Sequence, residues 1–246
     1  MRFTFDDLVA VMARLRGADG CPWDRQQTHA SLAPYVLEEA HEVLDAISRD
    51  DRGALRDELG DLLLQVVFHG QMSAEAGSWT AGDVVDGLTR KLIERHPHVF
   101  GDTKLGTPAE VLAQWHELKR REAPGRGVFD GIPTSLPALA RAQKVLHRAM
   151  VNGMTAQVPG EPLEAASHVA ERLHRVMAAV AMTAGEPAPG PPQDGDKPEA
   201  SPPPKVDEEF GELLLAVAAL AATVDVDAES ALRAACQKFL ARISAG

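Results

Sequence analysis

Helix-forming segments with their own start and stop signals occupy almost the whole chain of 246 residues. They are rich in Ala, Leu, Glu and Arg, whereas aromatic residues make up only 4% of the sequence, which disfavours strands. The strongest start signal is residues 107–110, Thr-Pro-Ala-Glu, with a hydroxyl at the N-cap and Glu at the capping-box position. Thr4 with Asp7 and Thr80 with Asp83 are further start signals. The sequence therefore predicts an all-α protein.

Hydrophobic periodicity and these signals predict the positions of the helices. They span about 5–16, 28–48, 52–76, 81–96, 108–123, 135–151, 162–183, 206–223 and 227–243. Pro97 and Pro124 end the helices before them because proline has no backbone N–H to donate.

Residues 184–205 differ in composition from the rest of the chain. They contain eight of the 17 prolines and no large apolar residue. Such a segment cannot bury enough surface to offset the entropy lost on ordering it. We therefore expect a flexible insertion or linker on the surface.

The charge balance disfavours two classes of partner. The chain has 25 Lys and Arg residues against 36 Asp and Glu residues, so its net charge of −11 disfavours nucleic acid and anionic membranes. No apolar stretch reaches the roughly 18 residues of a membrane span, and Asp6 and Asp7 argue against a signal peptide. Cys21 and Cys236 are too few for a disulfide framework. We expect a cytoplasmic protein.

Five carboxylates lie on two successive predicted helices. Glu38, Glu39 and Glu42 fall within an arc of about 100° on the first, and Glu58 and Asp61 lie one turn apart on the second. Apolar residues surround the second helix on most sides, which predicts that it is largely buried. If the helices pair as a hairpin, the acids converge and repel one another. A divalent cation relieves this repulsion, and oxygen ligands favour Mg²⁺ or Mn²⁺ over zinc.

Other interpretations of these acids remain open from the residues alone. The first helix by itself has the pattern of an amphipathic helix with its acids in water. Arg49, Arg52 and Arg56 are close enough in sequence to neutralise part of the charge. Glu38-x-x-His41 and Glu171-x-x-His174 have the form found in di-iron carboxylate proteins, which also need two further glutamates.

Basic and aromatic residues at one-turn spacing are candidates for binding a phosphate-containing substrate. Lys91 and Arg95 could neutralise phosphate oxygens. Trp115 and Lys119 repeat the spacing on the next predicted helix, where an indole can stack on a nucleobase. The histidines show no recurring ligand spacing, so we expect them to be structural.

Several ordered motifs resemble the MazG family of nucleoside triphosphate pyrophosphohydrolases over about residues 5–151. They are Gly20-Cys21-Pro22-Trp23-Asp24 with Gln27-Thr28, Glu38-Glu39-x-x-Glu42, Glu58-x-x-Asp61, Lys91-x-x-x-Arg95-His96-Pro97-His98-Val99-Phe100 and Ser135-Leu136-Pro137-Ala138-Leu139. The resemblance implies a helical bundle of the all-α NTP pyrophosphohydrolase type, assembled as a homodimer or higher homo-oligomer. It also implies Mg²⁺-dependent hydrolysis of nucleoside triphosphates to nucleoside monophosphate and pyrophosphate.

The resemblance also implies roles for individual residues. By similarity, the metal ligands are Glu39, Glu42, Glu58 and Asp61, and the nucleotide-contacting residues are Lys91, Arg95, Trp115 and Lys119. We assign Glu38 to orienting or deprotonating the attacking water, because it borders the ligands without another role. A pocket without hydrogen bonds to the base edges predicts broad specificity, which fits housecleaning of the nucleotide pool.

The C-terminal part is expected to contain a second, degenerate repeat. Residues 57–68 align with 208–219, residues 38–44 align more weakly with 171–177, and the proline-rich segment accounts for the difference in offset. At the positions that align with Glu39 and Glu42, the second repeat has Arg172 and Arg175. Their positive charges would repel a cation.

We therefore expect a catalytic repeat at 1–123, a connector with one helix at 124–160, and a catalytically silent repeat at 161–246. In the silent repeat, Glu209 and Glu212 are expected to pair with Arg172 and Arg175 instead of binding a metal. The alternative from another class is a non-catalytic helical interaction module with an acidic docking face. The basic residues opposite the acids disfavour it, because a docking patch does not need them.

Overall fold

The computed structural model describes residues 2–121, 125, 127–154, 159–185 and 205–244, with backbone only for residues 116, 119, 120, 184 and 185. This part of the chain forms α-helices and no strand, which confirms the all-α class. The helices are α1 (Phe5–Arg16), α2 (Pro22–Gln26), α3 (His29–Ser48), α4 (Arg52–Glu75), α5 (Ala81–Arg95), α6 (Pro97–Phe100), α7 (Pro108–Arg121), α8 (Ala138–Val151), α9 (Pro162–Gly185), α10 (Val206–Thr223) and α11 (Ala228–Ser244).

Side-chain caps begin three helices where the sequence predicts them. At α1, Thr4 Oγ1 accepts a hydrogen bond from the Asp7 N–H at 3.2 Å, and Asp7 Oδ2 accepts one from the Thr4 N–H at 2.8 Å. Thr80 and Asp83 form the same reciprocal pair at α5, and Glu110 Oε2 accepts from the Thr107 N–H at 3.0 Å at α7. These bonds satisfy N–H groups that the first helical turn leaves without a partner.

Proline explains where the structure departs from the predicted helix boundaries. Pro22 and Pro97 each begin a short helix, α2 and α6, that the sequence analysis did not predict. Proline suits the first helical position because its missing N–H is not needed there. The helix predicted from 135 begins instead at Ala138, after Pro137 with ψ of 143°, because a residue before proline is disfavoured in the helical region.

The chain divides into two compact units, Met1–Pro124 and Gly125–Gly246. In the first unit, α3 and α4 form a hairpin, and α1 and α5 also pack against α4. The core of this unit consists of Met12, Leu32, Val67, Phe68 and Met72. An ion pair of 2.8 Å between Arg16 and Glu75 joins the ends of α1 and α4.

The second unit contains another hairpin, formed by α9 and α10. Helix α8 packs against both α10 and α11. The core of the second unit consists of Leu146, Ala149, Ala218 and Ala219. Three of these four residues are alanines, so this core contains fewer large side chains than that of the first unit.

One face of α4 is exposed, so the expectation that this helix is largely buried is wrong on that side. Val67 and Phe68 are buried, whereas Leu59, Leu63 and Val66 expose 48%, 40% and 40% of their surface. The exposed residues fall within an arc of about 60° on the helix. Helices α1, α3 and α5 cover other sides of α4, which leaves this apolar face at the surface of the unit.

Two predicted segments extend beyond the described residues. Residues 186–204 of the proline-rich segment and the end of the helix predicted at 108–123 both lie outside them. Helix α9 continues to Gly185, so the first two residues of the proline-rich segment are helical. No described helix combines the length and the apolar character needed to cross a bilayer.

Candidate functional site

The α3–α4 hairpin brings three carboxylates together at its seam. One oxygen atom from each of Glu39, Glu58 and Asp61 lies within 4.8 Å of the other two. Glu39 and Glu58 are partly buried, and Asp61 is exposed. We call these three residues the carboxylate cluster.

The remaining two predicted acids lie next to the carboxylate cluster. Glu42 is exposed on α3, and its charge acts on Glu58 and raises the pKa of that carboxyl group. Glu38 is exposed on the same helix, and its charge acts on Glu39. The hairpin thus places Glu42 near the cluster and Glu38 at its edge.

Burial and mutual repulsion raise the pKa of two carboxyl groups. Partial burial raises the pKa of Glu39, and the charges of Asp61 and Glu42 raise it further. The pKa of Glu58 is also raised by desolvation and by the Glu42 charge. Ionisation is therefore costly in the hairpin unless a positive charge is present.

The oxygen donors of the cluster fit a small hard cation. Three carboxylate oxygens in one small volume could hold a small hard cation such as Mg²⁺, which prefers oxygen ligands. Among the described residues, these three form the only such group of His, Cys, Asp and Glu ligands. The donors contain no sulfur or nitrogen, which makes zinc an unsuitable occupant.

The structure supports neither neutralisation by Arg56 nor a di-iron site. Arg56 pairs with the adjacent Asp57 at 2.7 Å, and both side chains are exposed. The two Glu-x-x-His segments lie in α3 of the first unit and α9 of the second, and no histidine belongs to the carboxylate cluster.

The predicted substrate-binding residues lie on α5 and α7. The Arg95 guanidinium carbon lies 5.0 Å from the centre of the Trp115 ring, and the His96 ring meets the same indole at 5.4 Å, edge to face. Lys91 is exposed on α5, one turn before Arg95. The Lys119 side chain lies outside the described part of the chain.

An apolar groove of about 630 Å³ opens beside Trp115. It is lined by Leu105, Gly106, Thr107, Pro108, Val111, Leu112 and Trp115. Ligand pockets commonly have volumes of about 300–1,000 Å³, so the groove has room for a base and sugar. Of these residues, only Trp115 was predicted from the sequence to bind substrate, although the spacing of Val111, Leu112 and Trp115 places them on one face of α7.

The hairpin of the second unit has different chemistry at the matching positions. Arg172 pairs with Glu212 at 3.4 Å, as predicted. The prediction for Arg175 is wrong, because it pairs with Glu171 one turn earlier on its own helix, at 2.9 Å. Glu209 Oε2 is inaccessible to solvent and has no hydrogen-bond partner among the described residues.

Comparison with known proteins identifies the family. The profile of the MazG nucleotide pyrophosphohydrolase domain matches residues 27–100, which include all five acids and the predicted basic pair on α5. The chain is 41% identical over 238 residues to nucleoside triphosphate pyrophosphohydrolase of Escherichia coli (strain K12), covering 95% of this chain and 83% of that protein.

Two further relatives agree with this match. The chain is 37% identical over 240 residues to nucleoside triphosphate pyrophosphohydrolase/pyrophosphatase MazG of Thermotoga maritima, covering 97% of this chain and 83% of that protein. The chain is also 44% identical over 158 residues to nucleoside triphosphate pyrophosphohydrolase of Mycobacterium tuberculosis. This match covers 63% of this chain and 48% of that protein. Because the similarity extends over nearly the whole chain, this protein belongs to the MazG family.

Proposed function

We propose that this protein hydrolyses nucleoside triphosphates to nucleoside monophosphate and pyrophosphate, and that it needs Mg²⁺ to do so. The observation that supports the reaction is the carboxylate cluster on α3 and α4, in a chain whose relatives are named for this activity. Carboxyl groups with raised pKa in one small volume favour a bound cation, and oxygen ligands favour magnesium, with manganese as a substitute.

The residues of the hairpin have separate tasks in this reaction. Glu39, Glu42, Glu58 and Asp61 hold the metal. When bound, Mg²⁺ offsets charge on the phosphate oxygens and lowers the pKa of a water molecule. Glu38, at the edge of the cluster, orients the attacking water or accepts its proton.

Residues on α5 and α7 bind the nucleotide. Lys91, Arg95 and Lys119 neutralise the negative charge of the leaving pyrophosphate. Trp115 stacks on the base. These roles are carried over from the family motifs, and the contact between Arg95 and Trp115 supports their acting on one ligand.

The groove beside Trp115 supports broad nucleotide specificity. Its lining contains no charged side chain. Specific recognition of a base needs hydrogen bonds to its edges, and stacking on an indole alone accepts any base. We therefore propose a role in removing surplus or damaged nucleotides.

We propose that the activity belongs to the repeat at 1–123, and that the repeat at 161–246 is catalytically silent. The ion pair between Arg172 and Glu212 supports this division, because it occupies the positions that align with Glu39 and Asp61. A guanidinium group at a ligand position repels a divalent cation. The connector at 124–160 contributes α8, which packs within the second unit.

The exposed apolar faces of the first hairpin support assembly as a homodimer or higher homo-oligomer. Leu59, Leu63 and Val66 on α4 are exposed, as are Leu37 and Leu44 on α3. A second copy of the chain would remove these side chains from water, which is favourable. Light scattering after size-exclusion chromatography should show at least two chains per particle, and a monomer at micromolar concentration would contradict this proposal.

The unpaired cysteines support a location in the cytoplasm. Cys21 and Cys236 are both free. Thiols persist in a reducing compartment, where the proposed nucleotide substrates are also found. Fractionation of cells that express the protein should place it in the cytoplasmic fraction.

One product analysis separates the candidate functions. The protein is incubated with each nucleoside triphosphate and Mg²⁺, and the products are resolved by ion-exchange chromatography. Monophosphate with pyrophosphate is the expected result. Diphosphate with orthophosphate would show that a different phosphate bond is cleaved. Absence of turnover would favour a non-catalytic interaction module, and an iron absorbance band in the purified protein would favour a di-iron site.

A further inference from the structure

The α3–α4 seam contains a buried polar atom that the proposed function does not use. Gln65 on α4 is only 7% exposed, and its side-chain oxygen Oε1 has no hydrogen-bond partner among the described residues. Buried polar atoms almost always have a partner, and an exception indicates an ordered water or ion that completes the site. Gln65 Oε1 therefore needs a donor.

Gln65 lies on the same face of α4 as two residues of the carboxylate cluster. Glu58, Asp61 and Gln65 fall within an arc of about 60°, and Gln65 is one turn, about 6 Å, after Asp61. Long side chains on a helix lean toward its N-terminus and cover the preceding turn. From this tendency we infer that the Gln65 amide faces the turn that contains Asp61.

The antiparallel pairing of α3 and α4 limits which donor can reach this atom. On one side of Gln65, α3 contributes Glu39 to the carboxylate cluster. On the other side, His29 Nδ1 and His69 Nδ1 lie 2.6 Å apart and bond to each other. Ionised carboxylates have no proton to donate. A water between Gln65 and the cluster can donate to both, and it can use its lone pair to bind a cation.

We propose that Gln65 is a positioning residue for the metal site: its Oε1 accepts a hydrogen bond from a water bound to the ion and orients that water. This inference depends on the proposed function, because it requires a cation in the carboxylate cluster. Partners of this kind commonly change metal affinity or activity by about 10–100-fold when removed. Gln65 touches neither the ion nor the substrate in this arrangement.

Gln65→Met tests the proposal, because methionine preserves the length and volume of the side chain and removes the acceptor. Titration calorimetry with Mg²⁺ alone should show a dissociation constant about 10-fold weaker than in the unchanged protein. Thermal unfolding without metal should not be lowered, since the substitution removes a buried acceptor that lacks a protein partner. For hydrolysis, kcat should fall by a similar factor, and the KM for the nucleotide should change less.

Two further variants make the test specific. Gln71→Met makes the same change on the same helix, where the amide bonds to Glu75 at 3.0 Å, and should leave Mg²⁺ affinity unchanged. Gln65→Glu keeps an oxygen acceptor at the site, so its Mg²⁺ affinity should be no weaker than that of the unchanged protein.

Several outcomes would overturn the role of Gln65. They are unchanged Mg²⁺ affinity in Gln65→Met, equally weak affinity in Gln65→Glu, and a lowered unfolding temperature of metal-free Gln65→Met, which would assign the residue to packing. If the unchanged protein hydrolyses nucleotides and binds Mg²⁺, these results reject the inference alone. If the unchanged protein binds no Mg²⁺, the proposed metal dependence is wrong as well.

Discussion

The guanidinium group of Arg172 lies 3.4 Å from the carboxylate of Glu212, at the positions that align with Glu39 and Asp61 of the first hairpin. In the first hairpin the two acids belong to the carboxylate cluster. Both members of the ion pair are partly exposed, and such pairs stabilise a protein by only about 0–1 kcal/mol. We therefore propose that the main effect of Arg172 is to neutralise acidic charge that could otherwise bind a cation.

The two hairpins should respond differently to loss of matching glutamates. Glu58→Ala removes a proposed metal ligand, and we expect kcat for nucleotide hydrolysis to fall by more than about 100-fold, since even outer partners contribute 10–100-fold. Glu209→Ala is the matched control in the second hairpin and should leave kcat unchanged. Circular dichroism should show equal helix content in both variants. Activity that survives the first change, or disappears with the second, would place the active site elsewhere.

Magnesium should stabilise the protein more strongly as the pH rises. The folded-state pKa values of Glu39 and Glu58 lie above the ordinary 4.5. Without metal, the contribution of these two carboxyl groups to the stability of the fold is therefore full below about pH 4.5. It is lost as the pH rises through their folded-state pKa values. Mg²⁺ compensates the resulting charge, so its effect on the unfolding temperature should grow from acidic to neutral pH. Unfolding curves with Mg²⁺ and with EDTA measure the difference, and a constant difference would argue against these carboxylates as ligands.

Trp115 should affect nucleotide binding without selecting a base. Stacking of one base on an aromatic ring contributes about 1–3 kcal/mol, so Trp115→Ala should raise KM about 10-fold for ATP, GTP, CTP and UTP alike. Trp23→Ala is the control, because the Trp23 ring packs edge-on against Tyr35, with the ring centres 6.3 Å apart. Steady-state kinetics on the four nucleotides would reveal a contact with one base edge as an unequal change in KM.

Acid should weaken the contact between α3 and α4 at their histidine pair. Burial lowers the pKa of His69 from its ordinary 6.5, and the charge of His29 lowers it further. The neutral form is therefore favoured in the folded state, and its contribution to stability is full above about pH 6.5 and is lost as the pH falls through the lowered value. Urea unfolding of metal-free protein should show this loss, and His69→Asn should reduce it. His174→Asn, on an exposed residue of α9, should leave the pH dependence unchanged.

Helix positions were predictable because their causes lie within a few residues. Thr4, Thr80 and Thr107 each form the cap that the residue three positions later predicts. Proline was harder to interpret, since Pro97 both ends α5 and begins α6. A missing N–H is harmful inside a helix and harmless in its first turn, and the sequence does not distinguish these cases.

The acidic residues could be named from their spacing, but their convergence could be predicted only on the condition that the two helices pair as a hairpin. On a single helix, Glu39 and Glu42 have the pattern of residues facing water. The antiparallel pairing with α4 places Glu39 near Asp61 and Glu42 near Glu58. The role of Glu38 at the edge of the cluster stays a prediction.

By itself, the amino-acid sequence determined the all-α class, the start of most long helices and the acids available for a metal. The tertiary structure decided which acids meet, which face of α4 stays apolar at the surface, and that Gln65 is left without a partner. Caps and helices depend on hydrogen bonds between residues near in sequence, which local patterns describe. Burial and carboxylate repulsion depend on how two helices are aligned side by side, and that alignment is set by the packing of the whole unit.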